Sequence, residues 1–176
     1  YGLTGTNPST GVVLYYQLPA KVDTGRVMTL EVLNSQGTVL RKFSSKKDKK
    51  FVAFPGGPPA EPLLPTKPGL NRFGWDMRTE TLPAVDKVFI EGSYLGRKVA
   101  PGSYQARMKI GGQEKTVSFR ILPDPRLSAT AADYEAQQKT LTAIEDGVKE
   151  IHQGVNRMRK AQKQLNELLG LLEDQA

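Results

Sequence analysis

The 176-residue chain carries 25 Lys and Arg against 18 Asp and Glu, one histidine and no cysteine. The missing cysteines exclude disulfides, thiolate metal sites and cysteine nucleophiles together, and the lone His152 excludes histidine-rich metal sites and a His-based triad in the β-rich part. No apolar run is long enough to cross a bilayer, so no membrane insertion is expected.

The charge is unevenly placed. Residues 1–126 carry a net +9 and residues 127–176 a net −2. A basic domain can meet nucleic acid, acidic glycans or an acidic partner surface, but a solvated surface accounts for the same balance. The chain starts at Tyr1 rather than Met and reads as an excised or processed piece, whose start carries no targeting information.

Val12, Leu14 and Tyr16 alternate with Val13, Tyr15 and Gln17, which predicts a first strand. Met28, Leu30 and Val32 alternate with Thr29, Glu31 and Leu33 in a second. Asn34-Ser35-Gln36-Gly37 has turn chemistry, so Thr38 to Phe43 is expected to return as its hairpin partner. Residues 44–69 form an excursion: Ser44 to Lys50 is polar and basic, and Phe54 to Pro68 holds six prolines and two glycines. Proline lacks the donor that a central strand needs, so this segment is expected to be a surface loop of polyproline character. The basic run Lys46, Lys47, Lys49 and Lys50 reads as part of that solvated loop. With no aromatic stacking platform evident, no nucleic-acid partner is expected.

Leu70 to Arg78 alternates again, with Phe73, Trp75 and Met77 on one face and Arg72, Gly74, Asp76 and Arg78 on the other. That neighbourhood assigns the only tryptophan to a core rather than to a sugar-binding platform. In Ser103 to Ile110, residues Tyr104, Ala106, Met108 and Ile110 face inward. Gly111-Gly112 then signals a two-residue turn, and the returning strand has Val117, Phe119 and Ile121 inward. About seven short strands divided by turns predict a mainly β fold over residues 1–126, an immunoglobulin- or fibronectin-like β-sandwich.

At Leu122-Pro123-Asp124-Pro125-Arg126 the apolar period changes from 2 to 3.6 and prolines stop, which predicts a second unit over residues 127–176. It is expected to be a long amphipathic C-terminal α-helix or a helical hairpin. Asp124 and Arg126 are expected to order the junction by a turn or an ion pair, and Thr130 with Asp133 is a loose capping box. Leu141, Ile144, Val148, Ile151, Val155, Met158, Leu165, Leu169 and Leu172 follow spacings of three and four, with Gln162 in the one polar position: a heptad seam for interaction. Gly147 and Gly154 either permit close approach of a partner helix or mark a break. A seam of this length exceeds what the preceding domain can cover, so a protein partner is expected, either a second copy or the rest of a longer parent chain. A helix folded back over its own sandwich is the alternative.

No H-E-x-x-H, phosphate-cradling glycine loop or G-x-S-x-G elbow occurs. Asp76 and Glu80 offer a carboxylate pair, but Asp76 between Arg72 and Arg78 reads as a surface ion-pair member. No catalytic, cofactor-binding or metal-binding residue is therefore assigned; no cofactor and no enzyme activity are expected of this chain. Tyr15 and Tyr94, if exposed, leave a glycan partner and a carbohydrate-binding module as the alternative function.

Three stretches resemble a known family. Gly69-Leu70-Asn71-Arg72-Phe73-Gly74-Trp75-Asp76-Met77-Arg78 is similar to its G-x-N-R-F-x-W-D-x-R strand. Ala100-Pro101-Gly102-Ser103-Tyr104 resembles the P-G-x-Y strand entry shared with flagellar-hook-cap-type Ig-like domains. Asp124-Pro125-Arg126, followed by Tyr134, Gln137 and Gln138, is similar to the family's D-P-R junction. In that order they occur near the C-terminus of large bacterial proteins with a sortilin-type, BNR-repeat β-propeller, often labelled glycosyl hydrolases. The resemblance spans roughly residues 10–175. It implies an accessory domain, periplasmic or extracellular, whose helix pairs with further helical sequence, and it carries over no catalytic residue.

Overall fold

The structure, a computed structural model, describes residues 10–20, 25–90 and 92–173. Six strands precede one helix: β1 (Val12–Leu18), β2 (Met28–Asn34), β3 (Val39–Ser44), β4 (Gly69–Trp75), β5 (Gly102–Ile110), β6 (Gln113–Ile121) and α1 (Ala131–Glu173). Every strand pair is antiparallel. β1 and β4 form a two-stranded sheet, and a four-stranded sheet has the order β3-β2-β5-β6.

Period-2 alternation makes these strands because each sheet buries one face. Met28, Leu30 and Val32 of β2, Phe43 of β3, Phe73 and Trp75 of β4, and Tyr104 and Ala106 of β5 meet in one apolar cluster that draws on both sheets. Trp75 is fully buried; its ring stands edge-on to Tyr104 at 6.1 Å and to Phe119 at 6.2 Å, while Phe73 meets Phe43 at 4.7 Å. The indole Nε1–H donates to the Arg78 carbonyl at 2.9 Å, so the one polar atom of the ring is satisfied inside the core. Val117 departs from the inward reading and is half exposed, because it faces an open groove beside β1, whereas Phe119 and Ile121 of the same strand pack on the core. Gly111 and Gly112 turn the β5–β6 hairpin with φ of 54° and 84°, the left-handed pair that a two-residue turn of matching twist requires.

The proline-rich excursion does more than cover a surface. Leu64 is buried and belongs to the core, its N–H donates to the Ser44 carbonyl at 3.0 Å, and the Tyr16 hydroxyl donates to the Pro65 carbonyl at 2.6 Å. On the outer face of the larger sheet, register sets Glu31 opposite both Lys42 and Arg107. Arg107 Nε donates to Glu31 at 2.9 Å, with Lys109 at 3.5 Å and Lys42 at 3.6 Å. Burial opposes ionisation of Glu31, but the Arg107 hydrogen bond and the charges of Arg107, Lys109 and Lys42 outweigh it and hold the carboxyl below its ordinary range.

Turn counting predicts about seven strands, and six are present among the described residues. Where a further one would fall, between β4 and β5, the chain is irregular, with an isolated bridge between Arg78 and Lys98. At the junction, Asp124 accepts from the Arg126 backbone N–H at 3.0 Å and from its guanidinium at 2.6 Å. Thr130 and Asp133 exchange hydrogen bonds as a capping box, the Thr130 N–H donating at 2.8 Å and the Asp133 N–H at 3.3 Å. From there α1 runs 43 residues without interruption, about 64 Å at 1.5 Å per residue. Gly147 and Gly154 lie inside it, so the tail is one helix and not a hairpin.

Candidate interaction surface

The described residues of 76–101 lack a regular ladder, so their backbone groups need partners from elsewhere. Part of the need is met internally: Thr79 N–H donates to the Arg97 carbonyl at 3.0 Å, Leu82 N–H to Tyr94 at 2.7 Å and Val99 N–H to Met77 at 2.9 Å. The helix supplies more. Gln138, Glu145, His152 and Arg159 recur every seven residues along one side of α1, and each hydrogen-bonds this segment.

Gln138 bridges two residues, accepting from Arg97 Nε at 3.1 Å and donating to the Lys98 carbonyl at 3.0 Å. Glu145, 6% exposed, accepts from the Thr79 hydroxyl at 2.9 Å and the Arg97 N–H at 2.6 Å, and its second oxygen pairs with the Arg97 guanidinium. Burial works against the charge on Glu145; the Arg97 N–H, the Thr79 hydroxyl and the Arg97 cation together keep its pKa below the ordinary value. His152 Nδ1 lies 2.8 Å from the Pro83 carbonyl, an acceptor, which assigns the proton to that nitrogen. Asn156 donates to the Ala84 carbonyl at 2.7 Å and accepts from the Asp86 N–H at 3.2 Å; Arg159 donates to the Asp86 carbonyl at 2.7 Å. Leu82, Val85 and Tyr94 are buried outside the main core, and the Tyr94 ring meets His152 edge-on at 5.8 Å. Gly96 admits no side chain here, since a Cβ would come within 2.5 Å of both Thr79 Oγ1 and the Glu80 carbonyl oxygen.

The predicted seam divides between two environments. Leu141, Val148 and Val155 are half-buried on the docked side. Ile144, Ile151, Met158, Leu165, Leu169 and Leu172 are 57–66% exposed, and from Arg157 to Leu172 every residue of α1 is exposed. The helix thus folds back over its own domain along its first half and leaves an apolar stripe bare. The signal for the docked side was a polar heptad repeat, which a count of apolar positions passes over.

The other candidate residues scatter. Asp76 accepts from the Arg78 N–H at 3.2 Å and Arg78 donates to the Gly96 carbonyl at 2.8 Å, so both serve the irregular segment. Tyr94 is 3% exposed and offers no platform to a sugar, because the helix and the 76–101 segment enclose it. Tyr15 is exposed at the rim of a groove of about 970 Å³, between β1 and the β5–β6 hairpin, whose walls include Leu14, Met108, Ile110 and Val117. Lys46 donates to the Gly25 carbonyl at 2.5 Å, and Lys47, Lys49 and Lys50 are exposed. Among the described residues no group of three or more His, Asp or Glu is placed to hold a metal ion, and no helix is long and apolar enough to cross a membrane.

No protein-family model, curated protein or solved structure matches the chain.

Proposed function

We propose that this chain is a non-catalytic interaction module of a larger exported protein, in which an immunoglobulin-like β-sandwich forms the platform and α1 packs or self-associates through its bare apolar stripe. The observation that carries the reading is the row of large apolar side chains on α1 turned away from the domain. A monomer rarely leaves so long a row uncovered, and a helix without tertiary contacts is marginal in water. The sandwich reading is supported by the shared core of the two sheets and by the Tyr104 hydroxyl. That hydroxyl closes on the Ala100 carbonyl at 2.5 Å, four residues back, as in the tyrosine corner of such domains. Membership of the propeller-protein family, with a periplasmic or extracellular location, is part of this proposal and rests on the three sequence motifs. Each has a structural use here: Trp75 in the core, Tyr104 at the entry to β5, and Gln138 against Arg97 and Lys98.

The test is the solution mass of the full chain by light scattering over a wide micromolar range, beside an Ile151→Asp/Leu165→Asp variant, with an apolar dye as a second reading. Assembly lost in the variant supports the proposal, as does a monomer that binds dye through Ile151 and Leu165. A monomer that excludes the dye contradicts it, because the stripe would then be covered by the chain itself.

A glycan-binding role is the second reading, favoured by the exposed Tyr15 beside the groove. Glycan-array binding abolished by Tyr15→Ala supports it; binding unchanged by that substitution excludes this site.

A further inference from the structure

The bare side of α1 has a regular composition. Ile144, Ile151, Met158, Leu165, Leu168 and Leu172 mark it at large positions, and Gly147, Gly154 and Ala161 recur between them every seven residues. It lies roughly 130° round the helix from Glu145, counting 100° per residue, so the docked domain does not block it. A Cβ placed on Gly147 would meet nothing within 4 Å, and on Gly154 only the Arg157 guanidinium, at 3.8 Å. A second helix can therefore approach closely at these points.

Charge decides what that helix is. Beside the stripe, the first half of α1 presents Glu150 and the second half Arg157, one heptad apart and both exposed. A parallel second copy would set like charges at the same level. An antiparallel copy crossing at Gly154 sets Glu150 against Arg157 of the second copy, and does so twice by symmetry. The same register places Gly154 against itself, Gly147 against Ala161, Ile151 against Met158 and Ile144 against Leu165. Apolar and charged positions thus select one alignment independently. The side chains of the stripe, with Leu169 and Leu171 at its rim, are 57–66% exposed and offer on the order of 800 Å² per copy, about what each partner gives to a standard stable interface.

We propose that the chain forms an antiparallel two-fold dimer through this face of α1, crossing at Gly154, with the last turns of each helix lying over the first half of the other. The inference rests on the interaction-module reading and names its partner as a second copy.

The chain has no cysteine, so a single Glu167→Cys substitution on the exposed far side takes one spin label. In the antiparallel dimer the two labels stand about 39 Å apart along the axis, and at Lys163→Cys about 27 Å, from 1.5 Å per residue. Glu150→Arg weakens the dimer about tenfold, and adding Arg157→Glu restores it. A dimer with labels roughly 20 Å apart at Glu167→Cys, two helix diameters, is parallel and overturns the inference while leaving the module reading in place. A monomer that binds an apolar dye does the same. A monomer that excludes the dye overturns both.

Discussion

Glu145 and Arg97, 48 residues apart in sequence, are joined through both the backbone N–H and the guanidinium of the arginine, with the Thr79 hydroxyl on the same carboxylate. This one side chain ties the helix to both arms of the irregular segment between β4 and β5. Its removal leaves a partly buried cation and two donors without their acceptor. Glu145→Ala is expected to cost about 2–3 kcal/mol in urea denaturation, at the lower end for breaking a buried ion pair because Arg97 retains some solvent contact. Hydrogen exchange should quicken in residues 76–101 before it does in β2 and β5.

Acid should loosen the same contact. The carboxyls of Glu31 and Glu145 are held below their ordinary value near 4.5 in the folded chain. A depressed folded pKa contributes stability that is present above the unfolded value and lost as pH falls through the folded one. The urea midpoint is therefore expected to hold above about pH 5 and to decline as pH drops below about 4.5. Glu145→Gln should remove part of that decline.

At the alkaline end the sign reverses. Burial pushes the Tyr16 hydroxyl up to about 12, and burial also raises Tyr104 despite the nearby Arg97 charge. A raised folded pKa contributes stability that is complete below the unfolded value, near 10, and is lost as pH climbs toward 12. Tyr16→Phe, which forgoes the bond to Pro65, should flatten the alkaline fall in a pH-jump unfolding series.

Asn156 uses both ends of its amide on Ala84 and Asp86. Asn156→Ala is expected to cost about 1–2 kcal/mol, two ordinary hydrogen bonds at a half-exposed site, without lowering the helix content measured by circular dichroism at neutral pH. A loss of helix content would mean that the Asn156 contacts, and not those of Gln138, Glu145 and His152 before them, hold this stretch of α1 helical.

The strands were legible in the sequence because an antiparallel sheet buried on one face must alternate. Val12 to Tyr16, Phe73 to Trp75 and Tyr104 to Ile110 all lie as their period dictates, and the capping box at Thr130 and Asp133 formed as spaced. Leu64 was not legible, since a leucine among prolines has no period. Residues 76–101 were not legible either: their order comes from Glu145, His152 and Asn156, which lie more than 45 residues away in sequence. The seam was legible as a spacing, but its rotation was not. Apolar residues at Leu141, Val148 and Val155 serve the docked side, and the polar repeat of Gln138, Glu145, His152 and Arg159 turns Ile144, Ile151 and Met158 outward.

The central claim is that the second half of α1 is stable only when another helix covers it, and hydrogen exchange along α1 measured at several chain concentrations tests it most directly. Amides from Tyr134 to Asn156 should be protected at every concentration, while those from Lys160 to Leu172 exchange rapidly in dilute solution and slow as concentration rises. Equal, concentration-independent protection along the whole helix would contradict this claim, while rapid exchange beyond Arg159 at every concentration would rule out a second copy as the covering helix.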